Sequence, residues 1–149
     1  MSARGSIHIV AGLLMAMTML TCATMNAKME RFRAQNRTNM FRVSRGMPRD
    51  SVLTIMGIKT VEISNKWEVG IANTQRHQTY VLTNPYRTET LPGPRDTLEV
   101  LFYYTDVKSR DSAITDDELT PFVFKDGRLL GWGYSLLNES VQKYEIRIR

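Results

Sequence analysis

The sequence predicts a single α+β domain in which short helices pack on a small antiparallel β-sheet, followed by a C-terminal helix or extended tail. Three observations support this class: a compact helical pattern that stops at Gly57, alternating strand patterns after it, and an Asp-Gly pair between two apolar runs. The length of 149 residues suits one domain. Because the helix is too short to be stable alone, we expect it to dock on the strands.

Composition and charge are those of an ordinary globular protein. Hydrophobic residues make up 42% of the chain, enough for one modest core, and 20 basic against 15 acidic residues leave a net charge of +5. We interpret this excess as a basic solvated surface and expect no nucleic-acid partner. The chain has one cysteine, Cys22, which excludes an internal disulfide.

The N-terminal segment is organised like an export signal. Arg4 is followed by an apolar run of 12 residues, Ile9–Leu20. A membrane-spanning helix needs about 20 residues, whereas the apolar part of a signal peptide has about 7–15. The sequence therefore predicts a signal peptide over residues 1–21.

Cys22 comes directly after this segment. The stretch Met19-Leu20-Thr21-Cys22 is similar to the lipobox of bacterial lipoproteins, with Thr21 where Gly or Ala is usual. The resemblance implies that Cys22 is lipidated and anchors the protein in the membrane, and Ala23 favours the outer membrane. Two alternatives stay open, soluble secretion after cleavage at Ala23 and an uncleaved N-terminal anchor.

Residues 22–39 are polar and basic, and they form either a lipid-anchor tether or a short helix that leads into a domain over residues 40–149. The first element of that domain lies within Phe41–Gly57. Pro48 suits a first helical turn, and Gly57 suits a left-handed C-terminal position. The apolar face of this helix comprises Val52, Leu53, Ile55 and Met56.

This stretch resembles the start of the SmpA/OmlA (BamE-like) family of small periplasmic lipoproteins. The residues that match the family pattern are Gly46, Met47, Asp50, Val52, Leu53 and Gly57, whereas Pro48 and Lys59 depart from it. The resemblance extends over roughly residues 40–133. It implies a lipid-anchored α+β domain with a scaffold or accessory role, as in outer-membrane β-barrel assembly.

The strands follow in order. Val61–Ala72 predicts a weak hairpin turning at Asn65-Lys66 or an irregular excursion, and Thr79–Thr83 predicts a strand. Leu91–Pro94 predicts a loop, because its prolines exclude a central strand. Thr97–Asp106 is the strongest strand pattern. We expect its core face to carry Leu98, Val100, Phe102 and Tyr104, and its other face, with Glu99, Leu101, Tyr103 and Thr105, to be wetter.

The C-terminal third contains three local signals. Thr115 to Glu118 has the spacing of a capping box, which predicts one helical turn. Asp126-Gly127 predicts the turn of a β-hairpin. Gly131 and Gly133 predict close approach of another backbone or a helix. The tail predicts a helix to about Lys143 and then a short extended end.

Residues suited to catalysis are scarce. The histidines are His8, in the signal segment, and His77, which we expect in a polar loop. A nucleophile needs an oriented base, and a zinc site needs three or four ligands. Asp116 and Glu118 are by default loop charges. We therefore expect no enzymatic activity, no metal and no cofactor.

Three functional hypotheses follow. The first, implied by the resemblance, is a scaffold or accessory lipoprotein facing the periplasm, with partners such as a β-barrel assembly complex. The alternative is a periplasmic inhibitor or ligand-binding module on a similar fold. The third is a hydrolase that uses carboxylates between residues 106 and 118. The candidate partner-binding residues are Arg42, Arg45, Arg49 and Trp67.

Overall fold

The computed structural model describes residues 27–69, 74–108 and 113–146, with the backbone alone described over 65–69 and 74–78. In chain order the elements are α1 (residues 27–40), α2 (Arg49–Met56), β1 (Lys59–Val69), β2 (Thr74–Asn84), β3 (Arg87–Pro92), β4 (Thr97–Tyr104), a 3₁₀ turn (Asp116–Glu118), β5 (Leu119–Lys125), β6 (Arg128–Trp132) and α3 (Tyr134–Lys143). The predicted α+β class is confirmed. Within these ranges no helix has both the length and the apolar character needed to cross a membrane.

The residues divide into two compact units. Among the described residues, the smaller contains residues 27–31, 62–69 and 74–81, and the larger contains residues 32–61, 82–108 and 113–146. Strands β1 and β2 form a two-stranded sheet. The turn expected at Asn65-Lys66 is absent, because β1 continues through these residues and pairs with β2. Neither residue is a glycine that would favour a tight hairpin turn there.

The larger unit contains a four-stranded antiparallel sheet in the order β3-β4-β5-β6. Strand β3, which the sequence did not predict, lies at one edge and pairs from Arg87 opposite Phe102 to Pro92 opposite Thr97. Its charged residues and terminal proline are typical of edge strands. The expected loop therefore begins at Gly93 rather than at Leu91.

Strand β4 is buried on both faces, so the expectation of a wetter face was wrong. Leu101 and Tyr103, assigned to that face, are 0% exposed. They belong to a core cluster that also contains Val43, Val52, Leu53, Met56, Phe122, Phe124 and Leu129. Leu98, Val100 and Phe102 are buried on the opposite face, and α3 packs on β5 and β6. Helices thus cover both sides of the sheet.

The local elements follow the sequence closely. Helix α2 buries Val52, Leu53 and Met56 and ends before Gly57, which has φ +80°. The hairpin between β5 and β6 turns at Asp126 and Gly127, both with positive φ. Helix α3 ends at Lys143, as predicted, whereas the last three residues lie outside the described ranges.

The Gly46-Met47 pair of the lipoprotein-like motif has a structural role. The Gly46 N–H donates to the Leu129 carbonyl at 2.7 Å, and the Leu129 N–H donates to the Met47 carbonyl at 2.9 Å. These bonds cover the first half of the outer edge of β6. The segment before α2 is therefore attached to the sheet that α2 covers.

Candidate functional site

Of the two alternatives for the segment before the domain, the structure has the helix, over residues 27–40. The C-terminal half of α1 is attached to the end of β4 through polar side chains. Arg33 donates to the Tyr104 hydroxyl at 2.6 Å, and the Asn36 amide donates to the Tyr104 carbonyl at 2.9 Å. Arg37 donates to the Thr105 carbonyl at 2.6 Å. The carbonyls of Tyr104 and Thr105, at the end of β4, thus accept hydrogen bonds from α1 that water would otherwise have to supply. The same bonds attach α1 to the sheet.

A groove with a volume of about 620 Å³ lies between the end of α1 and the end of β6. It is lined by Ala34, Arg37, Thr38, Met40, Phe41, Val43 and Trp132. We call it the Phe41–Trp132 groove. Phe41 follows the last residue of α1 and is 91% exposed, whereas Trp132 is 37% exposed. A single exposed aromatic residue is ordinary, but Phe41 and Trp132 line one apolar groove, and an apolar patch of this kind marks a candidate contact site.

Trp132 packs against the core on one side of its ring. Its ring stacks on Phe122 at a centroid distance of 5.7 Å and an interplanar angle of 24°. Phe122 is itself packed edge-on against Tyr103 at 4.9 Å. The buried side of Trp132 therefore belongs to the core, and only its remaining surface is available for a partner.

The rim of the groove is basic. Residues 31–49 contain six arginines and neither Asp nor Glu. Arg42 and Arg45 are exposed, and no acidic side chain within the described ranges forms an ion pair with either. The Arg45 Nε lies 3.3 Å from the position that a Cβ would take at Gly131, on the side of β6 where Leu136 of α3 packs, whereas the Trp132 ring stacks on Phe122 on the opposite side. Arg37 lines the groove, and Arg42 lies in the chain between the lining residues Phe41 and Val43, so the groove has cationic groups at the end of α1.

The residues proposed from the sequence for partner binding have different surroundings. Arg42 lies between the groove-lining residues Phe41 and Val43, and Arg45 extends towards Gly131 on the α3 side of β6. The Arg49 Nε donates to both carboxylate oxygens of Glu99 at 2.8 Å. This pair joins the start of α2 to β4. The backbone of Trp67 lies in β1, but its side chain is outside the description, as is the whole of Cys22.

The carboxylates considered for hydrolysis have structural partners. Glu118 is 1% exposed and accepts from the Lys108 N–H at 2.6 Å and from the Thr115 N–H at 3.4 Å, which confirms the predicted capping box. Asp116 pairs with Arg87 at 3.0 Å. The hydrogen bond from Lys108 lowers the pKa of Asp106, which is the wrong direction for a general acid at neutral pH.

The described ranges contain no group of three or more His, Cys, Asp or Glu side chains that could hold a metal. The backbone of His77 lies in β2 rather than in a loop, and its side chain is not described. The structure therefore assigns no catalytic geometry to the residues it describes.

Sequence reasoning gave no role to Phe41 and Trp132. Their exposure depends on where α1 stops and on how β6 ends, which are tertiary features. One signal was nevertheless present: Phe41 lies in the 19-residue stretch 31–49 that has arginines and no acidic residue. A large apolar residue within such a stretch is typical of a contact surface, since aromatic residues and Arg are both enriched in interfaces.

Comparison with known proteins adds a family to these observations. A family model described as "Protein of unknown function (DUF3192)" matches residues 14–139, which is most of the chain. No curated protein and no solved structure matches it.

Proposed function

The chain belongs to the DUF3192 family, whose function is unknown, and from its own residues we propose that it is a non-enzymatic lipoprotein of the bacterial cell envelope. In this proposal Cys22 carries the lipid anchor, and the domain faces the periplasm, most simply from the outer membrane. Its role is that of a scaffold or accessory factor that binds another envelope protein, in outer-membrane protein assembly or envelope maintenance.

The observation that carries the binding role is the Phe41–Trp132 groove. Aromatic residues, Met and Arg are enriched in protein interfaces, and Phe41, Trp132, Met40 and Arg37 line this groove. Partner contacts would remove from water the ring of Phe41, which is 91% exposed. Burial of apolar surface contributes about 25 cal/mol per Å² before the costs of association.

The same groove favours a protein partner over a small ligand. Small-molecule pockets bury about 70–90% of a drug-sized ligand. The Phe41 wall is almost fully open to solvent, so the groove would leave much of such a ligand in water. The alternative of a ligand-binding module is therefore less well supported than the scaffold.

The localisation half of the proposal depends on Cys22 and on the signal-like residues before it. Cells that express the protein are labelled with an alkyne analogue of palmitate, and wild type is compared with Cys22→Ser. We expect label on the wild type and none on the variant. Thr24→Ser is the control, because it changes a neighbouring residue and leaves the thiol in place. Equal labelling of wild type and Cys22→Ser would refute lipidation at this residue.

The binding half is tested in the same cells by a photoreactive phenylalanine analogue at position 41 or at Lys143, which is exposed in α3. We expect a discrete protein adduct from position 41 and none from position 143. Adducts of equal yield from both positions would show only random collisions and would contradict a specific contact at the groove.

A further inference from the structure

We propose that the Phe41–Trp132 groove binds an acidic amphipathic peptide segment of the partner protein, in which apolar side chains enter the groove and carboxylates face Arg42. This inference rests on the proposed binding role and adds the chemical class of the partner. It concerns the domain alone and does not depend on lipidation.

The apolar part of the argument comes from the groove lining. Met40 and Val43 pack against the core cluster, and Trp132 is stacked on Phe122, so these walls are firm. Phe41 extends from the same wall into solvent. A partner that places one or two apolar side chains between Phe41 and Trp132 would cover both rings at once, as in the central contact of many interfaces.

The charge that we expect on the partner segment follows from the arginines next to the groove. Six arginines lie in residues 31–49 without any acidic residue. Arg33 is buried beside Tyr104, and Arg49 is paired with Glu99. Arg37 lines the groove and donates to the Thr105 carbonyl, and Arg42, between the lining residues Phe41 and Val43, is exposed and can face a partner. Since basic surfaces suppress basic partners and attract acidic ones, the complementary segment carries Asp or Glu beside its apolar residues.

The groove is also preorganised. Three side chains of α1, Arg33, Asn36 and Arg37, are hydrogen-bonded to Tyr104 and Thr105. The Asn39 amide additionally donates to the Met56 carbonyl at 3.3 Å. A wall held in place before binding costs less entropy when the partner arrives. The end of α1 is thus a fixed surface and not a flexible linker.

The test is a selection of phage-displayed random peptides on the detergent-solubilised full chain, biotinylated at its C-terminus. We expect the recovered peptides to combine Asp or Glu with aromatic or aliphatic residues. A fluorescent version of the best peptide then gives a Kd by polarisation. Recovery of peptides with no excess of acidic residues would overturn the proposal.

Three variants test whether the peptide binds in the groove. Phe41→Ser and Arg42→Glu should each weaken binding of the peptide by about tenfold, as expected for a lost aromatic contact or for a reversed charge. Arg95→Glu makes the same charge change at an exposed site in the β3–β4 turn and should keep the wild-type Kd. Unchanged binding in both groove variants would refute the site.

Two other occupants are distinguished by separate measurements. Vesicles of phosphatidylcholine with phosphatidylglycerol are compared with phosphatidylcholine alone, and light scattering gives the oligomeric state. If the protein binds the anionic vesicles through Phe41 and binds no peptide, the occupant of the groove is a lipid and the proposal is overturned. If the protein is a dimer that Phe41→Ser dissociates, the occupant is a second copy of the chain, and the proposal is likewise overturned. Loss of lipid labelling alone would refute the envelope anchor and leave the groove result intact.

Discussion

The side-chain amide of Asn84 donates a hydrogen bond of 2.8 Å to the main-chain carbonyl of Met56, the last residue of α2. The same amide donates to the Gly57 carbonyl at 2.9 Å, and Asn39 in α1 also donates to Met56. The final carbonyls of a helix have no partner within the helix. Here two asparagines from distant parts of the chain supply the donors, and they join α2 to α1 and to the end of β2.

Replacing Asn84 should therefore destabilise the domain. Asn84 is 2% exposed, so Asn84→Ala leaves the Met56 and Gly57 carbonyls without this donor in a buried place. We expect a loss of about 1–3 kcal/mol in the free energy of unfolding, measured by urea denaturation. Thr88→Ala, at an exposed position of β3, should change it by less than about 0.5 kcal/mol. Equal effects of the two substitutions would contradict this role of Asn84.

The Arg49–Glu99 pair should contribute modestly and depend on salt. Both side chains are partly exposed, at 36% and 28%, so the pair belongs with surface ion pairs rather than buried ones. A double-mutant cycle with Arg49→Ala and Glu99→Ala should give a coupling free energy of up to about 1 kcal/mol. High salt should reduce it. A coupling of zero at low salt would show that the two residues act independently.

Tyr103 should make stability fall at alkaline pH. The Tyr103 hydroxyl is buried and has no hydrogen-bond partner among the described atoms. Burial raises the pKa of this hydroxyl well above its ordinary value of 10.0, and the charges of Arg49 and Glu99 have smaller effects, the first lowering the pKa and the second raising it. Above pH 10 the unfolded chain loses this proton and the folded chain keeps it. The contribution of the protonated hydroxyl to the free energy of unfolding is therefore fully present below pH 10. It is lost as the pH rises above 10, by up to about 1.4 kcal/mol per pH unit.

Tyr103→Phe isolates this effect. It removes the unpartnered hydroxyl, so the variant should be at least as stable as wild type at neutral pH. The two unfolding free energies, measured by urea denaturation, should run parallel from pH 7 to 9 and diverge in favour of the variant above pH 10. Parallel curves across the whole range would contradict a raised pKa.

Gly131 should not tolerate a side chain. It has φ +151°, and an added Cβ would lie 2.7 Å from Leu136 Cδ2 in α3. Gly131→Ala should cost about 1–3 kcal/mol by denaturation, and the cost should shrink in a Leu136→Ala background, where the clashing methyl group is gone. Gly46→Ala, at φ +81° with open space around it, should cost only the backbone penalty of about 1–2 kcal/mol. An equal cost of Gly131→Ala in both backgrounds would place the strain elsewhere.

Phe41 should matter for binding and not for folding. Because it is 91% exposed, Phe41→Ala should change the free energy of unfolding by less than about 0.5 kcal/mol. Phe124, which is 1% exposed in the core cluster, is the matched comparison, and Phe124→Ala should cost about 3–5 kcal/mol. A large loss of stability in Phe41→Ala would show that the ring is part of the core.

The sequence predicted only part of the candidate site. Arg42 and Arg45 were proposed from their place near the α2 motif, and the structure puts Arg42 between two groove-lining residues but Arg45 on the α3 side of β6. Arg49, proposed for the same reason, is held by Glu99 in β4, 50 residues away. No local pattern distinguishes a free arginine from a paired one, because the pairing depends on which strand the helix covers.

Short-range chemistry determined several elements of this protein without help from the rest of the chain. The bounds of α2, the turn at Asp126-Gly127 and the cap from Thr115 to Glu118 all depend on residues within a few positions of one another. Backbone preferences and local hydrogen bonds favour these structures wherever the segment is placed. The sequence was sufficient for each of them.

The tertiary structure decided what those local rules leave open. The docking of α1 depends in part on polar contacts such as Asn36 to Tyr104, 68 residues apart, and no hydrophobic period in the sequence reveals such contacts. Leu101 and Tyr103 are buried because α2 covers their face of β4. Their alternation with polar Glu99 had predicted that this face would be exposed to solvent. Phe41 and Trp132 become neighbours only when α1 and β6 are in place. A surface formed by distant segments is a property of their packing, and for that reason the groove could be recognised only in the folded chain.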